Sequence, residues 1–121
     1  MNNEIYHAII VDESLKDKSV LNRLKIIGTK KGDWTLYKIE VSHKNLEGTI
    51  KLIHSSLGNN EWYFHFYNID GSKLLIVYKD KTYFTNSDKD NWKDAIRHGI
   101  DLNIPKEQLD FVPNNFIDEE F

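Results

Sequence analysis

Between Trp62 and Thr85 three short apolar runs are separated by two polar turns, and few folds accept that pattern. The runs are Trp62-Tyr63-Phe64-His65-Phe66-Tyr67, Leu74-Leu75-Ile76-Val77-Tyr78 and Thr82-Tyr83-Phe84-Thr85. Aromatic and β-branched side chains fit a pleated surface better than a helix. The connections Asn68-Ile69-Asp70-Gly71-Ser72 and Lys79-Asp80-Lys81 are short and polar, so successive strands must pair as antiparallel neighbours. A three-stranded meander is expected here, and the rest of the chain has to cover it.

Upstream, Ile5 to Val11 is short, β-branched and apolar on both faces, as in a strand flanked by other strands. Val20, Leu21, Leu24 and Ile27 share one helical face, which predicts a first helix capped by Ser14 or Ser19 and ended by Gly28. Lys30-Lys31-Gly32-Asp33 reads as a turn. Trp34 to Ser42 alternates as a half-buried strand, with Thr35, Tyr37, Ile39 and Val41 on one side. The stripe Leu46, Ile50, Ile53, Leu57 predicts a helix with Asn45 as its cap and Gly58-Asn59-Asn60 as its end. After the cap cluster Asn86-Ser87-Asp88, a further helix places Trp92, Ala95, Ile96 and Gly99 on one face. Pro105 opens a short helical turn reaching Leu109, and residues 111–121 read as an irregular acidic tail. The expected order is β-α-β-α-β-β-β-α. It describes a single α+β domain over residues 1–121, a two-layer sandwich with a mixed sheet of about five strands.

Composition narrows the chemistry. With 40% hydrophobic and 29% charged residues the chain is expected to fold, and with no cysteine it lacks disulfides, thiolate metal ligands and thiol nucleophiles. No apolar run approaches the roughly 18 residues of a membrane span, and Met1-Asn2-Asn3-Glu4 has no basic flank or apolar core of a secretory signal. A cytoplasmic location is the expectation. Residues 1–60 carry nine basic and seven acidic side chains (+2), whereas residues 61–121 carry seven and twelve (−5). Nucleic-acid binding draws its affinity from neutralised phosphates, so this balance makes it an unlikely partner. The densest basic group, Arg23, Lys25, Lys30 and Lys31, reads as the solvated end of the first helix.

None of the five histidines, His7, His43, His54, His65 and His98, shows metal-ligand spacing, and neither a metal nor another cofactor is expected. His54-Ser55-Ser56 is similar to half of the paired motif of two-histidine phosphoesterases, but the second half is missing. Asp88, Asp90 and Asp94 start like a calcium loop, yet Trp92 and Lys93 stand where a ligand and a glycine belong. They are better read as the acidic first turn of a helix. An enzyme is the least favoured class.

The aromatic run is more informative. If Trp62, Phe64 and Phe66 face the helices, alternation turns Tyr63, His65 and Tyr67, with Tyr83 nearby, to the opposite face. In a two-layer domain that face is open, and Tyr is enriched at protein interfaces. The favoured reading is a non-enzymatic module binding a protein partner or a second copy of itself through Tyr63, His65, Tyr67 and Tyr83. Equal weight goes to the C-terminal rings Phe111, Phe116 and Phe121 folding back over the same face. A nucleic-acid-binding domain is the alternative, either through stacking on these rings or through the α-β-β-β-α order from Leu46 to Ile100. That order is similar to the double-stranded RNA-binding domain, whose basic cluster would fall on Lys89 and Lys93 among Asp88, Asp90 and Asp94. Finally, Gly99 to Pro105 followed by Gln108-Leu109-Asp110-Phe111 resembles the ending of a group of small uncharacterised bacterial proteins, which implies a bacterial origin and carries no activity over to this chain.

Overall fold

A computed structural model describes residues 4–58, 62–109, 111 and 115–117. Its centre is one six-stranded sheet built from β1 (Ile5–Val11), β2 (Ile26–Lys31), β3 (Thr35–Ser42), β4 (Tyr63–Tyr67), β5 (Lys73–Tyr78) and β6 (Thr82–Asn86). The spatial order is β2-β3-β1-β4-β5-β6, and each neighbouring pair is antiparallel. Among the described residues two α-helices accompany the sheet, α1 (His43–Ser56) and α2 (Lys93–Asp101). The class is α+β, and the meander from β4 to β6 is present as expected.

Three expectations need correction. The sheet is wholly antiparallel with six strands. The first helix is absent: Lys18–Arg23 forms only a 3-10 turn capped by the Asp17 carboxylate, and Ile26–Lys31 is a strand. A helix of about eight residues is marginal by itself, whereas the outer edge of β3 offers this segment a ladder of backbone hydrogen bonds. Gly28 therefore lies within β2, beside a register shift between Ile26 and Gly28, and ends no helix. The third correction concerns layers, because α1 and α2 lie on opposite faces of the sheet.

Alternation along the strands explains the two helical layers. Tyr6, Ala8 and Ile10 of β1, Ile39 and Val41 of β3, Phe64 and Phe66 of β4, and Leu75 and Val77 of β5 form one core with the α1 stripe Leu46, Ile50, Ile53 and Leu57. Leu74, Ile76 and Tyr78 project from the other side of β5 into a second core with Trp92, Ala95, Ile104, Leu109 and Phe111. Since β5 is buried on both faces, its continuous apolar run is what the position requires. No described helix is long and apolar enough to cross a membrane.

Local chemistry pins the layers down. The Asp88 carboxylate accepts from Asp90 N at 3.0 Å and starts the turn Lys89–Trp92 that leads into α2. Ser42, and not Asn45, occupies the position before α1. Pro105 directly precedes the short turn Lys106–Gln108 and is not its first residue. Inside the second core, Tyr78 OH donates to Ala95 O at 2.7 Å. At the sheet's other end, Glu4 accepts from Tyr6 OH, Asn68 Nδ2 and Lys73 Nζ at 2.7, 2.9 and 2.7 Å, joining the start of β1 to the β4–β5 turn.

A Cβ on Gly99 would stand 2.5 Å from Leu109 Cδ2 and 2.8 Å from Tyr78 Oη. Gly99→Ala is therefore expected to cost about 1–3 kcal/mol in denaturant unfolding, as overpacking does elsewhere. The hydrogen bonds from Lys73, Asn68 and Tyr6 lower the Glu4 carboxyl from its ordinary 4.5 to about 2. A carboxyl depressed on folding stabilises above its unfolded pKa, and that contribution fades as pH falls through the folded one. Stability should drop between about pH 4.5 and 2, and Glu4→Gln should make that slope shallower.

Candidate interaction surfaces

Alternation places Tyr63, His65, Tyr67 and Tyr83 on the face opposite α1, as expected, but that face is not open. Tyr63 OH donates to Gln108 O, and its ring meets Phe111 edge-on at 5.5 Å. His65 meets the same Phe111 at 5.4 Å. Tyr67 is only 4% exposed and lies 6.2 Å from Phe116, which stacks on His7 at 3.6 Å and 7°. Tyr83 packs against Tyr78 and His98, at 6.1 and 5.5 Å, with Lys81 Nζ 4.8 Å from its ring centroid. Tyr67 is thus buried, and Tyr63, His65 and Tyr83 are half-buried, so the four residues do not form a fully open face.

The cause is the apolar stripe of α2. Trp92, Ala95 and Gly99 must be buried, the α1 side is already filled, and the aromatic side remains. The C-terminal segment extends the cover through Phe111 and Phe116; Phe121 lies outside the described residues.

The histidines do not converge either. His7 Nε2 lies 3.2 Å from Glu40 Oε2, His54 Nε2 lies 3.0 Å from Thr82 Oγ1, and His98 Nε2 lies 2.8 Å from Asp80 Oδ1. Among the described residues no group of three or more His, Cys, Asp or Glu could hold a metal ion. Asp88 serves as a helix cap, consistent with the structural reading of the acidic cluster.

Among the described residues the sheet has two edges, and they differ in kind; the far end of the β6 edge is engaged by the turn before α2, where Trp92 Nε1 donates to Asn86 O at 2.8 Å. The β2 edge carries Lys30 and Lys31, follows Lys25, and has the irregularity at Gly28. Lysines and bulges are the devices that keep an edge from pairing with another chain. The β6 edge has neither: its sequence is Thr82-Tyr83-Phe84-Thr85-Asn86, and Phe84 is 74% exposed. Tyr78 N donates to Lys81 O, which fixes the hydrogen-bonding alternation of the β5–β6 hairpin. With Ile76 opposite Tyr83 and Leu75 opposite Phe84, the backbone N–H and C=O groups of Thr82 and Phe84 point away from β5.

Phe84 sits on the α1 side of the sheet, beyond the helix's reach. Between them runs an apolar groove of about 650 Å³, lined by Leu46, Ile50, His54, Thr82 and Phe84, with Glu47 and Lys51 along its rim. Burial holds the His54 imidazole below its ordinary pKa, against an opposing pull from Asp80. This edge was legible as a strand in the sequence, yet only the strand order reveals it as terminal.

Comparison with protein-family models finds no match, and neither curated proteins nor solved structures give a significant one.

Because Tyr67 is a core residue, Tyr67→Ala is expected to cost about 3–5 kcal/mol by denaturant unfolding, the range for a large buried aromatic. A loss below about 0.5 kcal/mol, the range of an ordinary surface substitution, would contradict the packing described.

Proposed function

We propose that this chain is a non-enzymatic self-associating module that pairs the β6 edge of one copy with the β6 edge of another. The observation that carries the reading is the exposed Phe84 at the middle of an edge strand without a charged residue, set against the lysine-guarded β2 edge. A long-lived soluble domain leaves such an edge unprotected only at a cost in unwanted pairing.

The strand is compatible with its own copy. Antiparallel pairing centred on Phe84 sets the two Phe84 residues opposite each other, so that they exchange two N–H···O bonds. Thr82 then faces Asn86 of the second copy, Tyr83 faces Thr85, and Lys81 faces Ser87. No like charges oppose one another over residues 81–87. Two six-stranded sheets would join into one. The Phe84 rings would lie on the α1 side, over the groove that Leu46 and Ile50 line. Such a contact is isologous and closes after two copies.

Light scattering coupled to size exclusion tests this directly. The chain should run at twice 14.3 kDa, with the mass falling on dilution. Phe84→Lys copies the charged guard of the β2 edge and should yield a monomer, with unfolding free energy changed by less than about 0.5 kcal/mol. A wild-type monomer at every concentration, or a dimer that survives Phe84→Lys, contradicts the proposal.

A further inference from the structure

At the end of the sheet where β1 finishes and β3 and β4 begin, a separate cleft of about 550 Å³ opens between the strand ends and the segment after α2. Its volume falls within the roughly 300–1,000 Å³ of small-molecule clefts. Val11, Trp34, Trp62 and Tyr63 line one part, and Asn103, Pro105 and Gln108 the other. Trp34 is 48% exposed, although indole is costly to leave in water. Its plane is held by Trp62, edge-on at 5.0 Å and 71°. Tyr63 is fixed by its hydrogen bond to Gln108 O.

Asn103 brings a polar group to this wall in a defined place. It has φ 67°, the left-handed conformation that glycine adopts most easily. Asn103 N donates to Ile100 O and Ile104 N donates to Gly99 O, the hydrogen-bond pair that closes a helix C-terminus. Asparagine is, after glycine, the residue that most readily takes this conformation, so the helix end holds Asn103 in a fixed place on the wall.

We infer that the cleft binds a short neutral oligosaccharide. No charged side chain stands among its described lining residues, and the adjoining hollow on Val11, Trp34 and Trp62 adds Lys30 and Asp33 of opposite sign, so a nucleotide, phosphate or carboxylate would meet no net counter-charge there. A wholly apolar ligand would leave the polar wall of Asn103 and Gln108 unused. A sugar ring has an apolar C–H face that matches the Trp34 indole and a hydroxyl rim that matches two amides, each both donor and acceptor. The site shares no described lining residue with β6 and does not depend on the pairing proposed there.

The test is tryptophan emission of the full chain titrated with maltotriose, cellotriose and N,N′,N″-triacetylchitotriose, repeated at high salt. At least one trisaccharide should give a saturable change that salt leaves intact. Trp34→Ala should weaken it by at least about tenfold, equivalent to 1.4 kcal/mol. Asn103→Gly should also weaken it while the melting temperature holds or rises, since glycine suits that backbone. No saturable response to any of the three, or an affinity unchanged in Asn103→Gly and Trp34→Ala, overturns the inference. So does saturable binding of a proline-rich peptide at the cleft when all three sugars fail.

Discussion

Burial of the sheet on both faces is the constraint from which the other features follow. Side chains alternate across β4 and β5, and both sets are apolar: Phe64, Phe66, Leu75 and Val77 on one side, and Leu74, Ile76 and Tyr78 on the other. A strand pair of this composition cannot leave either face in water without exposing several large side chains, each worth about 1.5–3 kcal/mol when buried. One helix is insufficient, so α1 takes the first face and α2 the second. The C-terminal rings Phe111 and Phe116 then complete the second layer where α2 does not reach.

With both faces of β5 covered, the edges and strand ends are the places where the described residues offer contact. The lysine-bearing edge of β2 and the uncharged edge of β6 are the two borders of the same sheet, and only the first carries lysines and a bulge within the strand. The ends of the strands supply a different opening, where Trp34 and Trp62 meet the segment that follows α2. These two places are chemically distinct. The edge offers unsatisfied backbone groups beside an apolar ring, and the cleft offers aromatic surface beside neutral amides. A chain with both could hold a small ligand without disturbing its association.

Much of this was readable before any coordinates. The meander from β4 to β6, the α1 stripe and the α2 face all follow from periodicities that tertiary context does not contest. The sequence reading failed where two patterns competed or where packing alone decides. Val20, Leu21, Leu24 and Ile27 do fall on one helical face, but the neighbouring edge of β3 draws Ile26–Lys31 into a strand. Tyr63, His65, Tyr67 and Tyr83 do turn away from α1, yet alternation says nothing about what lies above them. Only the position of α2 decides that. Likewise Phe84 looks like any other strand aromatic until the strand order shows β6 at the border. Trp34 and Trp62 lie far apart in sequence, and no spacing rule would pair them.

The account turns on whether the β6 edge is covered by another copy while both sheet faces are covered from within. Amide hydrogen exchange of Phe84, followed as a function of protein concentration, reads that edge residue by residue. Pairing of the two β6 edges gives slow exchange at Phe84 in concentrated solution and fast exchange on dilution, with Ile76 and Leu74 protected throughout. Fast exchange at Phe84 at every concentration would contradict it.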